Sequence, residues 1–154
     1  MGVRDDERAQ SIQIGAVLLF GALILAFASY QAVVVPAQNT QVEFSHNQQL
    51  QEQLQELRNV VVAAPSGGAG QTVSIQLGTT YPDRIAALNP GPAGGSLRTV
   101  TLSGNFTIDN AIASGETGDF WNGRERNYDT RGLRYQPTYN EYRSAPRTAY
   151  ENTV

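Results

Sequence analysis

The first quarter of the chain contains a run of apolar positions that has no polar face. From Ile14 to Tyr30 the sequence reads IGAVLLFGALILAFASY, and after Gln31 the apolar run resumes through Val35. As a helix, the 22 residues from Ile14 to Val35 would be roughly 33 Å long, close to the thickness of the hydrocarbon core of a bilayer. The pattern therefore predicts a transmembrane helix over residues 10–35.

Two other kinds of apolar helix are alternatives to a membrane span. The core helix of a soluble protein normally has a polar stripe, which this segment lacks. A secretory signal peptide has a shorter apolar region, about 7–15 residues, followed by a cleavage site of small residues. Ala26-Phe27-Ala28 resembles such a site, but the apolar run continues past it to Val35. An uncleaved anchor is favoured.

A second helical pattern follows Pro36, a residue that can kink or end a helix because it lacks an amide donor. Residues 36–64 are predicted to form a juxtamembrane amphipathic helix, since apolar positions recur at helical spacing. The stripe is Leu50, Leu54, Leu57 and Val61. We expect this stripe to pack on the protein's own sheet; the alternative is a zipper against a second copy.

Beyond the helix the period of the pattern changes from helical to two. Residues 65–71 are rich in glycine and are predicted to form a flexible linker. After the linker, Val73, Ile75 and Leu77 alternate with polar residues, as in a half-buried strand.

Two further strands are predicted at Leu97–Leu102 and Phe106–Ile108, with a turn at residues 103–105 between them. Residues 72–154 are therefore expected to form a small antiparallel, β-rich extracellular head capped by the amphipathic helix. The predicted fold class is α+β: a long N-terminal transmembrane helix, an amphipathic helix and this head.

The placement of the charges predicts how the helix is oriented in the membrane. Arg4 and Arg8 precede the span, whereas the first basic residue after it is Arg58. Basic residues close to a span favour the cytoplasm, so residues 1–9 are expected to be a cytoplasmic leader and the region after Pro36 to lie outside. All 11 basic residues are arginine, which suggests a high-GC genome such as that of a halophilic archaeon. The net charge of −3 gives no reason to expect nucleic acid binding.

The residues at the start of the span, Arg8-Ala9-Gln10-Ser11-Ile12-Gln13-Ile14-Gly15, resemble the class III signal peptide of haloarchaeal type IV pilins. The resemblance covers the N-terminal region only. It implies that a leader peptidase cuts between Ala9 and Gln10, after Arg8, and that the remaining helix first anchors the subunit in lipid and later packs in a filament core. Two positions depart from the pattern: Ile14 stands where many pilins have glutamate, and Ile12 where many haloarchaeal relatives have proline.

The C-terminal part of the chain is aromatic and basic from Phe120 onward. Arginine side chains bind oxyanions and tyrosine rings stack on planar ligands, so a candidate anion- or partner-binding patch is Arg124, Arg126, Arg131 and Arg134. The alternative, which we favour, is packing of arginine against tyrosine along a hairpin surface.

Other candidate sites are few. Asn105-Phe106-Thr107 is an acceptor pattern for N-glycosylation, placed at the predicted strand turn. His46, the single histidine, is expected to be solvated near the membrane surface. Asp109, Glu116 and Asp119 match no calcium loop. The chain has no cysteine and no recognisable catalytic motif, so we predict no enzyme activity, no cofactor and no metal site.

Together these features predict a type IV pilin-like structural or minor subunit of a cell-surface filament. Its expected partners are membrane lipid, other filament subunits and the leader peptidase. The alternative is an unprocessed, signal-anchored surface protein whose head binds a ligand or the cell envelope. Because the C-terminus lacks a tail-like composition, the chain is also a candidate for a shortened form of a longer surface protein.

Overall fold

A computed structural model of the chain describes residues 3–64 and 70–151, with residues 3–9 described by their backbone alone. One helical rod runs from Val3 to Ala63, and a small antiparallel sheet packs beside its C-terminal half. The predicted α+β class, with a long apolar N-terminal helix followed by a β-rich head, is confirmed. Residues 65–69 of the predicted linker lie outside the described residues.

The rod has three parts that follow one another without a break. They are helix α1 (Val3–Ser29), a π-helical turn (Tyr30–Val34) and helix α2 (Val35–Ala63). The π turn explains how Pro36 is accommodated, because proline has no N–H and its ring crowds the preceding turn. In this turn the Val35 N–H donates to the Tyr30 carbonyl, five residues earlier. A π-helical turn is wider than an α-helical turn and is a common way for a helix to continue past a local disruption. The amphipathic helix is therefore the direct continuation of the membrane helix.

Within the part of the chain that the structure describes, the sheet has four antiparallel strands, which lie side by side in chain order. Its two central strands form a long ribbon that begins with Gly94 opposite Thr138 and ends with Ile108 opposite Arg126. The connection between them contains a short helix, α3 (Glu116–Phe120). The strands are β1 (Gly78–Thr79), β2 (Ala93–Ile108), β3 (Arg126–Thr138) and β4 (Thr148–Tyr150).

The predicted turn at residues 103–105 is wrong. Residues 93–108 form one 16-residue strand, in which the pairing register with β3 shifts between Thr101 and Asn105. The extra residues of β2 are absorbed as a bulge, so the glycine and the polar residues there interrupt the pairing without reversing the chain.

The predicted strand through Val73, Ile75 and Leu77 is also wrong, although its alternation of burial is present. The segment runs beside α2 and reaches the sheet only at its end, where the Gly95 N–H donates to the Leu77 carbonyl at 2.8 Å and β1 begins. The Gln76 N–H donates to Gln53 Oε1 at 2.9 Å, and the Gln76 carbonyl accepts from His46 Nε2 at 3.0 Å. Helix side chains thus take the place of a neighbouring strand.

The core between helix and sheet is small. Among the described residues, its buried apolar members are Val35, Leu50, Tyr81, Ala93 and Tyr135. The fully buried Tyr135 ring lies over Gly95, where a Cβ atom would overlap the ring. Glycine at this position is therefore a requirement of the packing between the strands.

Candidate functional site

The side of α2 that faces the head is mainly polar. Its buried residues are Val35, Asn39, Glu43, His46, Asn47 and Leu50. Of the predicted apolar stripe, Leu50 is buried, while Leu54 and Leu57 are half-buried and Val61 is 42% exposed. The expectation that the stripe packs on the protein's own sheet is thus met mainly at its first residue.

Glu43 is the centre of this face. Its side chain is completely buried, and no arginine lies within ion-pair distance among the described residues. Three backbone N–H groups of one turn donate to the carboxylate: Asn140 to Oε1 at 2.8 Å, Glu141 to Oε2 at 2.9 Å and Tyr142 to Oε2 at 2.5 Å. Burying a carboxylate is costly unless hydrogen bonds compensate. Here the compensation comes from successive backbone N–H groups of one turn, an arrangement that commonly binds anions.

A fourth donor, the Tyr81 hydroxyl, completes the set by donating to Glu43 Oε1. Asn140 Nδ2 donates to the Tyr81 oxygen at 2.8 Å and to the Gly91 carbonyl at 2.8 Å. Because the Tyr81 oxygen accepts from Asn140, its own proton points to the carboxylate. Burial raises the pKa of Tyr81 to about 12, and the hydrogen bond to Glu43 acts in the same direction. We call Glu43, Tyr81 and residues 140–142 the carboxylate clasp.

The expectation that His46 is solvated is wrong, because the head covers it and leaves 4% of the residue exposed. Since the Gln76 carbonyl can only accept, Nε2 carries the proton, and Nδ1 accepts from the Tyr139 hydroxyl at 2.7 Å. Tyr139 stacks on Tyr142, whose ring also meets Phe44 of α2 edge to face at 5.6 Å. These tyrosines of the aromatic C-terminal region turn toward the helix.

Two further contacts hold the segment after β1 against the rod. Arg84 Nη2 donates to Asn39 Oδ1 at 3.0 Å and its Nε to Gln38 Oε1 at 3.2 Å. Nearer the membrane, Gln31 Nε2 donates to the Leu88 carbonyl at 2.8 Å, and the Leu88 N–H donates to Gln31 Oε1 at 3.1 Å. The polar residue that interrupts the apolar run is thus bonded on both of its polar atoms.

The arginines of the candidate patch have different surroundings. Arg126 stacks on Phe120, with Cζ 4.2 Å from the ring centroid, and donates to the Phe120 carbonyl at 2.6 Å. Arg131 is on the opposite face of β3 from Arg126 and Arg134, because side chains alternate along a strand. Arg124 is exposed in the connection before β3. A binding role for these residues stays a prediction.

The remaining predicted sites are distributed over the rod and the ribbon. Arg8 and Ala9 lie in the first turns of α1, where side chains are not described, and Gln10 is exposed. Asn105 is exposed in β2, where it pairs with Asp129 directly after the bulge, rather than at a turn. Between residues 10 and 151, with the gap at 65–69, no group of three or more metal-ligating side chains occurs.

The carboxylate clasp was not found by sequence reasoning, although one signal was available. The helical spacing of the apolar stripe continues backward from Leu50 through His46, Glu43, Asn39 and Val35. Polar residues at stripe positions indicate a buried face whose partners are polar. The partners themselves could not be identified, since the three backbone donors come from residues 97, 98 and 99 positions away.

Within the described residues, one helix is long and apolar enough to cross a membrane, and none of its most apolar window is buried. Ile12, Leu18 and Leu25 are 73%, 68% and 70% exposed. An apolar helix surface that stays exposed in this way matches a lipid environment. These features indicate a single-pass membrane protein.

Comparisons with known proteins give one distant similarity. No family model matches the chain, and no solved structure matches it. The chain is similar to an uncharacterized protein of Archaeoglobus fulgidus, with 28% identity over 134 residues that cover 87% of this chain and 22% of the relative. The chain thus spans about a fifth of the length of that archaeal protein. Because the alignment covers most of the chain, the similarity is not confined to the apolar helix.

Proposed function

We propose that the chain is a single-pass, membrane-anchored subunit of the type IV pilin-like class, with its N-terminus in the cytoplasm and its head outside the cell. Its role in this proposal is that of a structural or minor subunit of a surface filament. The observation that carries the proposal is the continuous helix from Val3 to Ala63, which is apolar and uncovered from Ile14 to Ser29 and bound to the head along its second half.

The exposed apolar part of the helix, residues 14–29, suits the two environments that such a subunit must occupy, the bilayer and the filament core. Its large side chains are exposed all around, for example Leu19 at 64% and Leu23 at 60%. Lipid tails are about as apolar as leucine side chains, so exchanging lipid for the same helix of other subunits has a small hydrophobic cost. Transfer from the bilayer into a filament core is therefore physically reasonable.

The second half of the helix supports the proposal through the carboxylate clasp. A filament of identical subunits requires every head to have the same orientation relative to its helix. Glu43 binds the turn at residues 140–142 through three backbone hydrogen bonds, and π-helical widening keeps the rod continuous across Pro36. The similarity to an archaeal protein agrees with the resemblance of the N-terminal junction.

The experiment is to measure the intact mass of the protein from native membranes and from sheared filaments. The proposal expects a mass that is lower, by the mass of residues 1–9, than the mass of the same protein from cells that lack the leader peptidase. Ala9→Leu should block cleavage, whereas Ala16→Leu, a matched change inside the span, should not. A full-length mass in wild-type cells, together with absence from the filament fraction, would favour the unprocessed surface protein instead.

The predicted orientation is tested in the same cells with a single introduced cysteine, because the chain has none of its own. Ser103→Cys on the exposed part of β2 should react with a membrane-impermeant maleimide in intact cells. Labelling that appears only after lysis would contradict an external head.

A further inference from the structure

A loop of the head comes back to the membrane helix. Residues 83–88 follow β1 and lie against the end of α1, where a shallow concavity is lined by Phe27 and Tyr30 of the rod and by Asp83–Ala87 of the loop. The two hydrogen bonds between Gln31 and the Leu88 backbone fix the loop at this level.

The tip of this loop presents large apolar side chains that nothing in the described chain covers. Ile85 is fully exposed and Leu88 is 83% exposed, beside a helix whose Phe27 is itself 47% exposed. A single exposed leucine on a soluble surface needs no explanation. Two apolar residues held beside an apolar helix form one continuous surface with it, and such surfaces mark contacts with a membrane or a partner.

The level of the loop along the rod can be compared with the bilayer. If the apolar run ends at Val35, Phe27 and Tyr30 lie about 8 to 12 Å inside that end at 1.5 Å per residue. Peripheral apolar elements typically bury about 5 to 10 Å into the boundary between headgroups and acyl chains. The loop tip therefore lies at the depth where interfacial side chains are found.

Two polar sites of the loop, the Arg84 side chain and the Leu88 backbone, are hydrogen-bonded, whereas Asp83 has no ion-pair partner among the described residues. The Arg84 side chain turns back to the head, where it bonds Asn39, Gln38 and Asn89. The Leu88 backbone N–H and carbonyl are both bonded to Gln31. Unpaired backbone groups and charges are what the bilayer rejects most strongly, and here the cation and one peptide position are already paired.

We propose that residues 85–88 are a second membrane contact, which inserts into the outer leaflet beside α1 and binds lipid at the boundary between headgroups and acyl chains. The proposal rests on the anchoring of α1 in a membrane, which is part of the proposed function. One helix alone leaves the protein free to rotate about the membrane normal and to tilt. A second contact on one side of that helix sets the tilt, and with it the height of the head above the lipid.

The test uses the full chain in phosphatidylcholine nanodiscs, with one spin label on each single-cysteine variant. Ile85→Cys and Leu88→Cys report on the loop, Leu19→Cys reports on the anchor, and Ser103→Cys is the exposed control on the ribbon. Collisions with oxygen, which concentrates in lipid, and with a water-soluble nickel chelate are measured for each label. We expect the oxygen-to-nickel ratio at positions 85 and 88 to be at least severalfold above that at position 103.

The outcomes separate the loop from the anchor. If position 19 reports lipid while positions 85 and 88 match position 103, the loop proposal is overturned and the anchor stands. Should position 19 also report water, the anchor fails together with the loop. Low accessibility of position 85 to both reagents, with spin–spin broadening between copies, would show a second copy on the loop and would also overturn the lipid contact.

Discussion

The carboxylate clasp gives the sharpest test of how the head is held on the rod. Glu43→Gln keeps the shape of the side chain and its helix propensity, since the two residues are nearly equal as helix formers. It replaces one of two acceptor oxygens by an NH₂ group, which only donates. In the wild-type protein each carboxylate oxygen of Glu43 accepts two hydrogen bonds. In the variant, two of these four donors therefore lose their acceptor and face the NH₂ group.

The magnitude follows from those two donors. Leaving a buried donor unsatisfied costs about 1 to 3 kcal/mol, so the loss of two acceptors should remove about 2 to 6 kcal/mol from the free energy that holds the head on α2. At 1.4 kcal/mol per factor of ten, the amides of residues 140–142 should exchange with deuterium about 30-fold faster or more. Helix α2 itself should keep its protection around the substituted position.

The assay is hydrogen–deuterium exchange by mass spectrometry on the full chain in detergent, with urea unfolding followed by the fluorescence of Trp121. Glu52→Gln is the matched control, because Glu52 is an exposed glutamate on the same helix. Surface changes of this kind stay within about 0.5 kcal/mol. If Glu43→Gln behaves like Glu52→Gln in both measurements, the clasp does not hold the head.

Two other perturbations test the head. The pKa of Tyr81 is raised to about 12 from about 10 in an unfolded chain, so its contribution is full below pH 10 and is lost as the pH rises to 12. At 1.36 kcal/mol per pKa unit the loss over two units is about 3 kcal/mol, seen as a falling urea midpoint. Tyr81→Phe should make this fall shallower, and an equal slope in both proteins would refute the assignment. Gly95→Ala should cost about 1 to 3 kcal/mol, because its Cβ overlaps the buried Tyr135 ring. Gly104→Ala is the control, because a Cβ atom there meets nothing within 4 Å, and it should unfold at nearly the same urea concentration as the wild type. Equal urea midpoints for the wild type, Gly95→Ala and Gly104→Ala would show that position 95 tolerates a side chain.

The parts of the fold that depend on local pattern were predictable. The apolar helix, the amphipathic continuation and the β-rich character of the head all follow from periodicity over short windows. The two errors in the sheet have one cause, which is that strand pairing is decided by residues far away. Ser103-Gly104-Asn105 has the composition of a turn, yet β3 continues opposite it and converts it into a bulge. Val73–Leu77 has the alternation of a strand, yet its neighbour is α2.

The sequence by itself determined that this protein has one helix suited to a bilayer, because the bilayer selects for length and apolar composition, and both are local properties of residues 14–35. Only the tertiary structure decided that Glu43 and His46 are buried and that residues 83–88 lie against the end of α1. The groups that bind Glu43 are mainly backbone N–H groups, which almost every residue carries. No sequence pattern marks which of these N–H groups will contact the helix, so the orientation of the head on the helix could be determined only from the tertiary structure.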